Sequence, residues 1–393
     1  MDHTVQLRTL TGRAAALPAL ITAGLVLSAC GQAGSEPAGE GASRSPAVAA
    51  PLVATYDGGL LVIDGETLDV AADIPLDGFN RVNPAGDGRH VLVSTSTGFR
   101  VLDAAAPELT DTEFEGAEPG HVVRHAGKTV LFSDGTGEVT VFDPQDLGDG
   151  LPEGETFTTD HPHHGVAVEL DNGELVVTLG DEEERPGIQV LDADREETAR
   201  SEECPGVHGE ATAQGEAVVI GCEDGVLIYK DGEITKVDSP DDYGRIGNQA
   251  GSEESAIVLG DYKKDPEAEL ERPEQVSLID TGTGELSLVD IGAGYSFRSL
   301  ARGPHGEALV LGTDGRIHVI DPGSAEVERT VPVLDEWEEP LEWQQPRPTI
   351  FVRGDTAYVT DPGANELHAV DIESGEETAT AELPGTPNEL TGV

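Results

Sequence analysis

The chain has 393 residues, with 76 Asp or Glu against 23 Lys or Arg, for a formal net charge of −53. A field of that sign repels phosphate backbones, so it argues against nucleic acid as a partner, and it gathers cations. Solubility alone accounts for most of such acidity.

Arg8 and Arg13 flank the start of an apolar run, Ala14 to Leu27, that is too short for a stable membrane span. Leu27-Ser28-Ala29-Cys30 then reads as a bacterial lipobox. Residues 1–29 are expected to be a lipoprotein signal peptide, cut before Cys30, which is acylated and holds the protein at the cell membrane. A plain secretory signal with a coincidental cysteine is the alternative. Residues 30–50 are small, polar and proline-containing, the composition of a flexible tether. The folded domain is expected from 51 to 393. No later segment is apolar for long enough to cross a bilayer.

Within that domain a short phrase recurs: LLVID ending at Asp64, FRVLD at Asp103, VTVFD at Asp143, IQVLD at Asp192, VLIYK at Lys230, VSLID at Asp280, IHVID at Asp321 and LHAVD at Asp371. The spacings run from 38 to 50 residues, the period of a repeat architecture. Each phrase alternates and is rich in β-branched residues, and most lead into turn signals such as DPGS or DTGTGE. A second strand-like run precedes each one, among them HVLVST, TVLFSD and EAVVIG, and no long amphipathic helix intervenes. The pattern predicts an all-β fold, a β-propeller of eight four-stranded blades. The first copy lacks an inner strand, and PNELTGV at the end of the chain is expected to supply it and close the ring. Seven blades with one irregular insert is the runner-up.

Inner strands line the channel of a propeller, and their N-terminal ends meet at one mouth. Counting back from the hairpin turns puts His121, His164 and His208 at similar levels in the third, fourth and fifth copies. Three imidazoles from consecutive blades converging on one point suit Zn²⁺, and each must be neutral to bind. Asp160 and Glu389 are the candidates for a fourth ligand. His125, four residues beyond His121, is expected as a partner deeper in the channel, and His161 and His163 as residues that cap the site or admit the metal. His90, His305, His318 and His368 are assigned to ordinary packing. The DGTGE stretch reads as a hairpin turn rather than a calcium loop. Asn248 and Arg298 are expected at the same mouth in later blades, orienting the site or holding an anion.

Cys204 and Cys222 flank a hairpin with its turn near Gln214-Gly215, so its ends meet. In an oxidising compartment they are expected to form a disulfide, with two thiolate metal ligands as the weaker alternative.

FNRVNPAGDGRHVLVST, PGHVVRHAG, HHGVAVEL, CPGVHGEA, GRIGNQAGSEES and FRSLARGPHGEALVLGTDG together resemble the extracytoplasmic zinc metallochaperones of the AztD type, over nearly all of the chain from Pro51 to Val393. The resemblance implies a propeller that carries zinc outside the cell membrane and hands it to the solute-binding protein of an ABC-type zinc importer. Its histidines match His121, His164 and His208. The family's histidine-rich flexible segment has no counterpart in AAAPELTDTEFEGAE after Asp103. With no GxSxG or HExxH motif and no compelling acid–base pair in the sequence, a carrier that catalyses nothing is the expectation. A metal-dependent propeller hydrolase or lyase, lactonase-like, and a protein-interaction scaffold are the alternatives.

Overall fold

A computed structural model describes residues 47–393. The expected signal peptide, Cys30 and most of the tether lie outside the described residues. Eight antiparallel sheets of four strands each follow one another along the chain. Blade 1 takes Leu52–Tyr56, Gly59–Ile63 and Val70–Pro75 from the start of the domain, and its innermost strand, Leu390–Gly392, from the end. Leu52 pairs with Gly392, Val53 with Thr391 and Ala54 with Leu390, so the ring closes on backbone hydrogen bonds and leaves no open sheet edge there. The seven-bladed alternative falls.

Position in the blade explains the patterning. The second and third strands are covered on both faces by neighbouring blades, so Gly59–Ile63 and Ala217–Cys222 are buried at every position. Outermost strands face solvent on one side, and Val70–Pro75 alternates half-buried with exposed. The recurrent Asp is a turn device. The carboxylates of Asp64, Asp280 and Asp371 accept backbone N–H groups two or three residues on, at 2.7–3.0 Å, and bend the chain into the outer strand. Between blades the apolar faces interlock, as where Val139 and Val141 pack with Val168 and Val176.

Strand direction then sorts the connections. Each inner strand runs from one mouth of the channel to the other, and the next three alternate. Linkers between blades and turns between second and third strands therefore share the mouth where inner strands begin, here the near mouth. The other turns lie at the far mouth. Both ends of the propeller are there too: Val48 N–H donates to Ala105 O at 2.9 Å, and Val393 N–H to Pro51 O at 3.3 Å. Among the described residues no helix is long and apolar enough to cross a membrane.

Candidate metal centre

The inner strand of blade 3, Pro119–His125, carries His121 near its start, and that of blade 5, His208–Ala213, opens on His208. His164 stands in the linker just ahead of the inner strand of blade 4, Ala167–Glu169, rather than on the strand itself as the sequence implies. Both histidine-bearing strands are bulged where the ring projects. Pairing skips from Pro119 to Val122 in one and from His208 to Glu210 in the other. Bulges re-aim side chains in this way.

The three rings converge. Their centroids are 5.0–5.6 Å apart, and one nitrogen from each falls within 4.8 Å of the others. What each Nδ1 meets decides which nitrogen remains. His208 Nδ1 lies 2.6 Å from Gly247 O, and His164 Nδ1 lies 2.5 Å from Asp134 Oδ2. A carbonyl and a carboxylate only accept, so both Nδ1 atoms carry the proton and leave a lone pair on Nε2. His121 Nδ1 stands 3.4 Å from Glu210 Oε2, a looser version of the same arrangement. Outer partners of this kind fix tautomer and ring orientation in metal sites. Burial holds the His208 imidazole well below its usual range, and the neighbouring His121 adds to the effect. That ring is therefore neutral and competent to ligate at neutral pH.

A further layer supports these partners. Asp261 accepts from the backbone N–H groups of Gly247 (2.6 Å) and Asn248 (3.1 Å) and from Asn248 Nδ2 (2.8 Å), fixing the carbonyl that holds His208. Gly209 has φ +72°, and a Cβ there would fall 2.5 Å from Gly247 O, so only glycine lets the two backbones approach. The Cys204–Cys222 disulfide forms, with sulfurs at 1.99 Å, and clamps the segment leading into His208 onto the neighbouring strand. Arg185, which donates to His164 O at 3.5 Å, also lines a hollow of about 500 Å³ whose other charged residues are acids, among them Asp181, Glu202 and Glu223. Its potential favours approaching cations.

Several expected residues lie elsewhere. Glu389 is outside the histidine group. It is buried in blade 1, where it binds Arg81 Nε at 2.9 Å, Arg298 Nη2 at 3.0 Å and Val82 N at 3.2 Å. Those cations saturate the carboxylate and hold it across the ring from blade 4. Asp160 is exposed on the linker ahead of blade 4 and is also outside the group. His125 is not a deeper partner of the site: four residues of strand carry it about 13 Å to the far mouth, where Nε2 meets Glu216 at 3.0 Å. His163 is buried rather than at an opening. Its Nδ1 donates to His161 O at 2.9 Å, its Nε2 meets Thr178 Oγ1 at 3.1 Å, and its ring packs edge-on to Phe132. Burial lowers its pKa, as suits a neutral packing residue. His161 is exposed beside it, and it is the backbone carbonyl that is engaged. Arg298 donates to Asn388 O and Glu389, which leaves it structural rather than anion-binding.

Asp134, Glu210 and Gly247 were missed. Asp134 is the Asp of DGTGE, read as a plain turn residue, and Glu210 follows His208 by two positions. A carboxylate within two residues of a ligand on a bulged strand was the available signal for Glu210. Asp134 offered none, because its turn reaches His164 only through the stacking of blade 3 on blade 4.

No family model matches the chain. A protein of Citrobacter koseri named zinc chaperone AztD is 27% identical over 302 residues, covering 74% of this chain and 69% of that one. The chain is similar to AztD over most of its folded length. A structure of apo AztD from C. koseri aligns with a TM-score of 0.76 at 23% identity, over 87% of this chain and 96% of that one. A crystal structure of C. koseri AztD aligns with a TM-score of 0.75. The dihydro-heme d1 dehydrogenase NirN is more remote, with a TM-score of 0.57 at 13% identity over 91% of this chain and 77% of its own, a likeness of fold alone.

Proposed function

We propose that this protein is an extracytoplasmic zinc carrier that binds one Zn²⁺ through Nε2 of His121, His164 and His208 and passes it on. The observation that carries the reading is the convergence of three imidazole nitrogens within 4.8 Å, at least two of them with Nδ1 committed to an acceptor. The donor set fits zinc: imidazole nitrogens are borderline ligands, and a d¹⁰ ion imposes no ligand-field demand on how three of them are arranged at a channel mouth. Similarity to a protein named zinc chaperone supports the same cargo. Among the described residues the group contains no carboxylate, so the fourth position falls to solvent or to an incoming ligand. A site completed in this way suits hand-over, since a recipient's ligand can enter before the histidines let go. The recipient in this reading is the solute-binding protein of an ABC-type zinc importer, and Cys30 anchors the carrier at the membrane surface.

The test is zinc titration against a competing chelator, followed by transfer. His164→Ala should weaken zinc binding by more than the ~10–100-fold typical of losing an outer partner, with the far-UV spectrum unchanged. Zinc-loaded protein should fill the apo solute-binding protein faster than it fills a chelator. Unaltered affinity in His164→Ala would remove that residue from the ligand set. Turnover of a lactone or ester panel by the zinc-loaded protein would favour a hydrolase instead.

A further inference from the structure

The linker from blade 7 to blade 8 is long and irregular, and it is built around buried charge. Arg347 is 2% exposed and Glu339 4%, and they pair at 2.6 Å. Arg347 Nη2 also donates to Glu342 O at 2.8 Å, and its guanidinium lies over the Phe297 ring at 4.8 Å. Trp337 Nε1 donates to Gly312 O, and Asn388 Nδ2 to Gln344 O. A segment tied down at so many points is a platform rather than a loose loop. Yet it holds Leu341 60% and Trp343 52% exposed. Trp343 meets Phe79, from the linker between blades 1 and 2, edge-on at 5.0 Å. A hollow of about 500 Å³ opens beside the pair, walled by Tyr56, Phe79 and Pro346.

Holding a tryptophan and a leucine in water on a rigid support costs free energy, and such patches mark interaction surfaces. Tryptophan is also a preferred interface anchor. Both linkers belong to the near mouth, the one that carries the histidines, and blades 8 and 1 face blades 3 to 5 across the channel. The exposed acids Asp57 and Glu342 line the same hollow, on a chain of net charge −53.

We infer that Leu341, Trp343 and Phe79 form the docking surface for the protein that receives the zinc. The complement they call for is an apolar knob ringed by lysine or arginine. Seated there, the recipient spans the channel mouth and brings its own metal ligands over the three histidines. This inference rests on the carrier reading above.

The probe is the apo solute-binding protein of the organism's zinc importer. Leu341→Ser/Trp343→Ser in the full protein should hold zinc as tightly as the parent, while transfer slows by about 30-fold or more, the usual toll for truncating an interface anchor. Leu151→Ser, 59% exposed at the far mouth, should transfer like the parent. Added salt should slow the parent's transfer, because opposite charges steer the encounter. A double variant that binds zinc and delivers it at the parent's rate overturns the docking surface and leaves the carrier reading standing. A parent that takes up no zinc overturns both.

Discussion

The smallest unit of the proposed site is an imidazole whose proton has been assigned by a neighbour. Asp134 does this for His164 at 2.5 Å, and Glu210 is placed to do it for His121 at 3.4 Å. Asp134→Asn keeps the shape and removes the charge, so zinc affinity should fall about 10–100-fold with the fold intact. Glu210→Gln should cost less, because its contact is longer. Competition titrations of the two variants side by side check the order, and equal losses would count against distance as the cause. The histidines themselves were legible in the sequence, because a strand's rise and a following turn fix how far each ring stands from the channel end. Their neighbours were less so. His163 and His164 share an irregular linker, where His164 reaches the mouth while His163 is buried against Phe132, a division that no strand alternation announces. Glu389 was misjudged because its partners, Arg81 and Arg298, lie 308 and 91 residues away along the chain, and no local pattern announces them.

At the scale of strands and turns, blades 5 and 6 carry two features that can be tested by unfolding. The disulfide closes a segment of sequence separation 18, and both half-cystines are fully buried. A loop of that size is worth about 3 kcal/mol in the chain-entropy account. Cys204→Ser/Cys222→Ser should therefore lower the unfolding free energy by about that amount in urea titrations. It should also loosen the segment leading into His208 and weaken zinc binding. The pairing was legible because both cysteines end the same hairpin. Alkaline stability follows from phenols buried on either side of blade 6, Tyr262 towards blade 5 and Tyr295 towards blade 7. Tyr295 is buried, donates to Gln275 O at 2.6 Å and is raised well above its ordinary pKa by burial. Tyr262, raised first by burial and then by its bond to Asp241, is pushed up to about 12. In the unfolded chain both ionise near pH 10. Between about pH 10 and 12 the unfolded state has shed protons that the folded state retains, so stability falls as pH rises through that window. Urea midpoints from pH 8 to 11.5 should be level at first and then decline, and Tyr262→Phe should lessen the decline.

The ring as a whole depends on one short strand. Leu390–Gly392 is buried at all three positions and completes blade 1 from the opposite end of the chain. A chain ending at Pro387 lacks that strand, exposes the edge at Leu52–Tyr56 and should unfold at a lower urea midpoint. Size-exclusion chromatography should show self-association through the bared edge. A monomer of parental stability would mean that closure matters less than the register implies. Eight copies of one phrase made the blade number readable, and the unpaired first copy made the closing strand readable. The Arg347–Glu339 platform was not readable, because its ion pair sits in an irregular linker that obeys no repeat.

Both ends of the propeller emerge on the side away from the three histidines. A polymer or bead grafted ahead of Val48 would hold the molecule by its back and leave the three histidines turned outward.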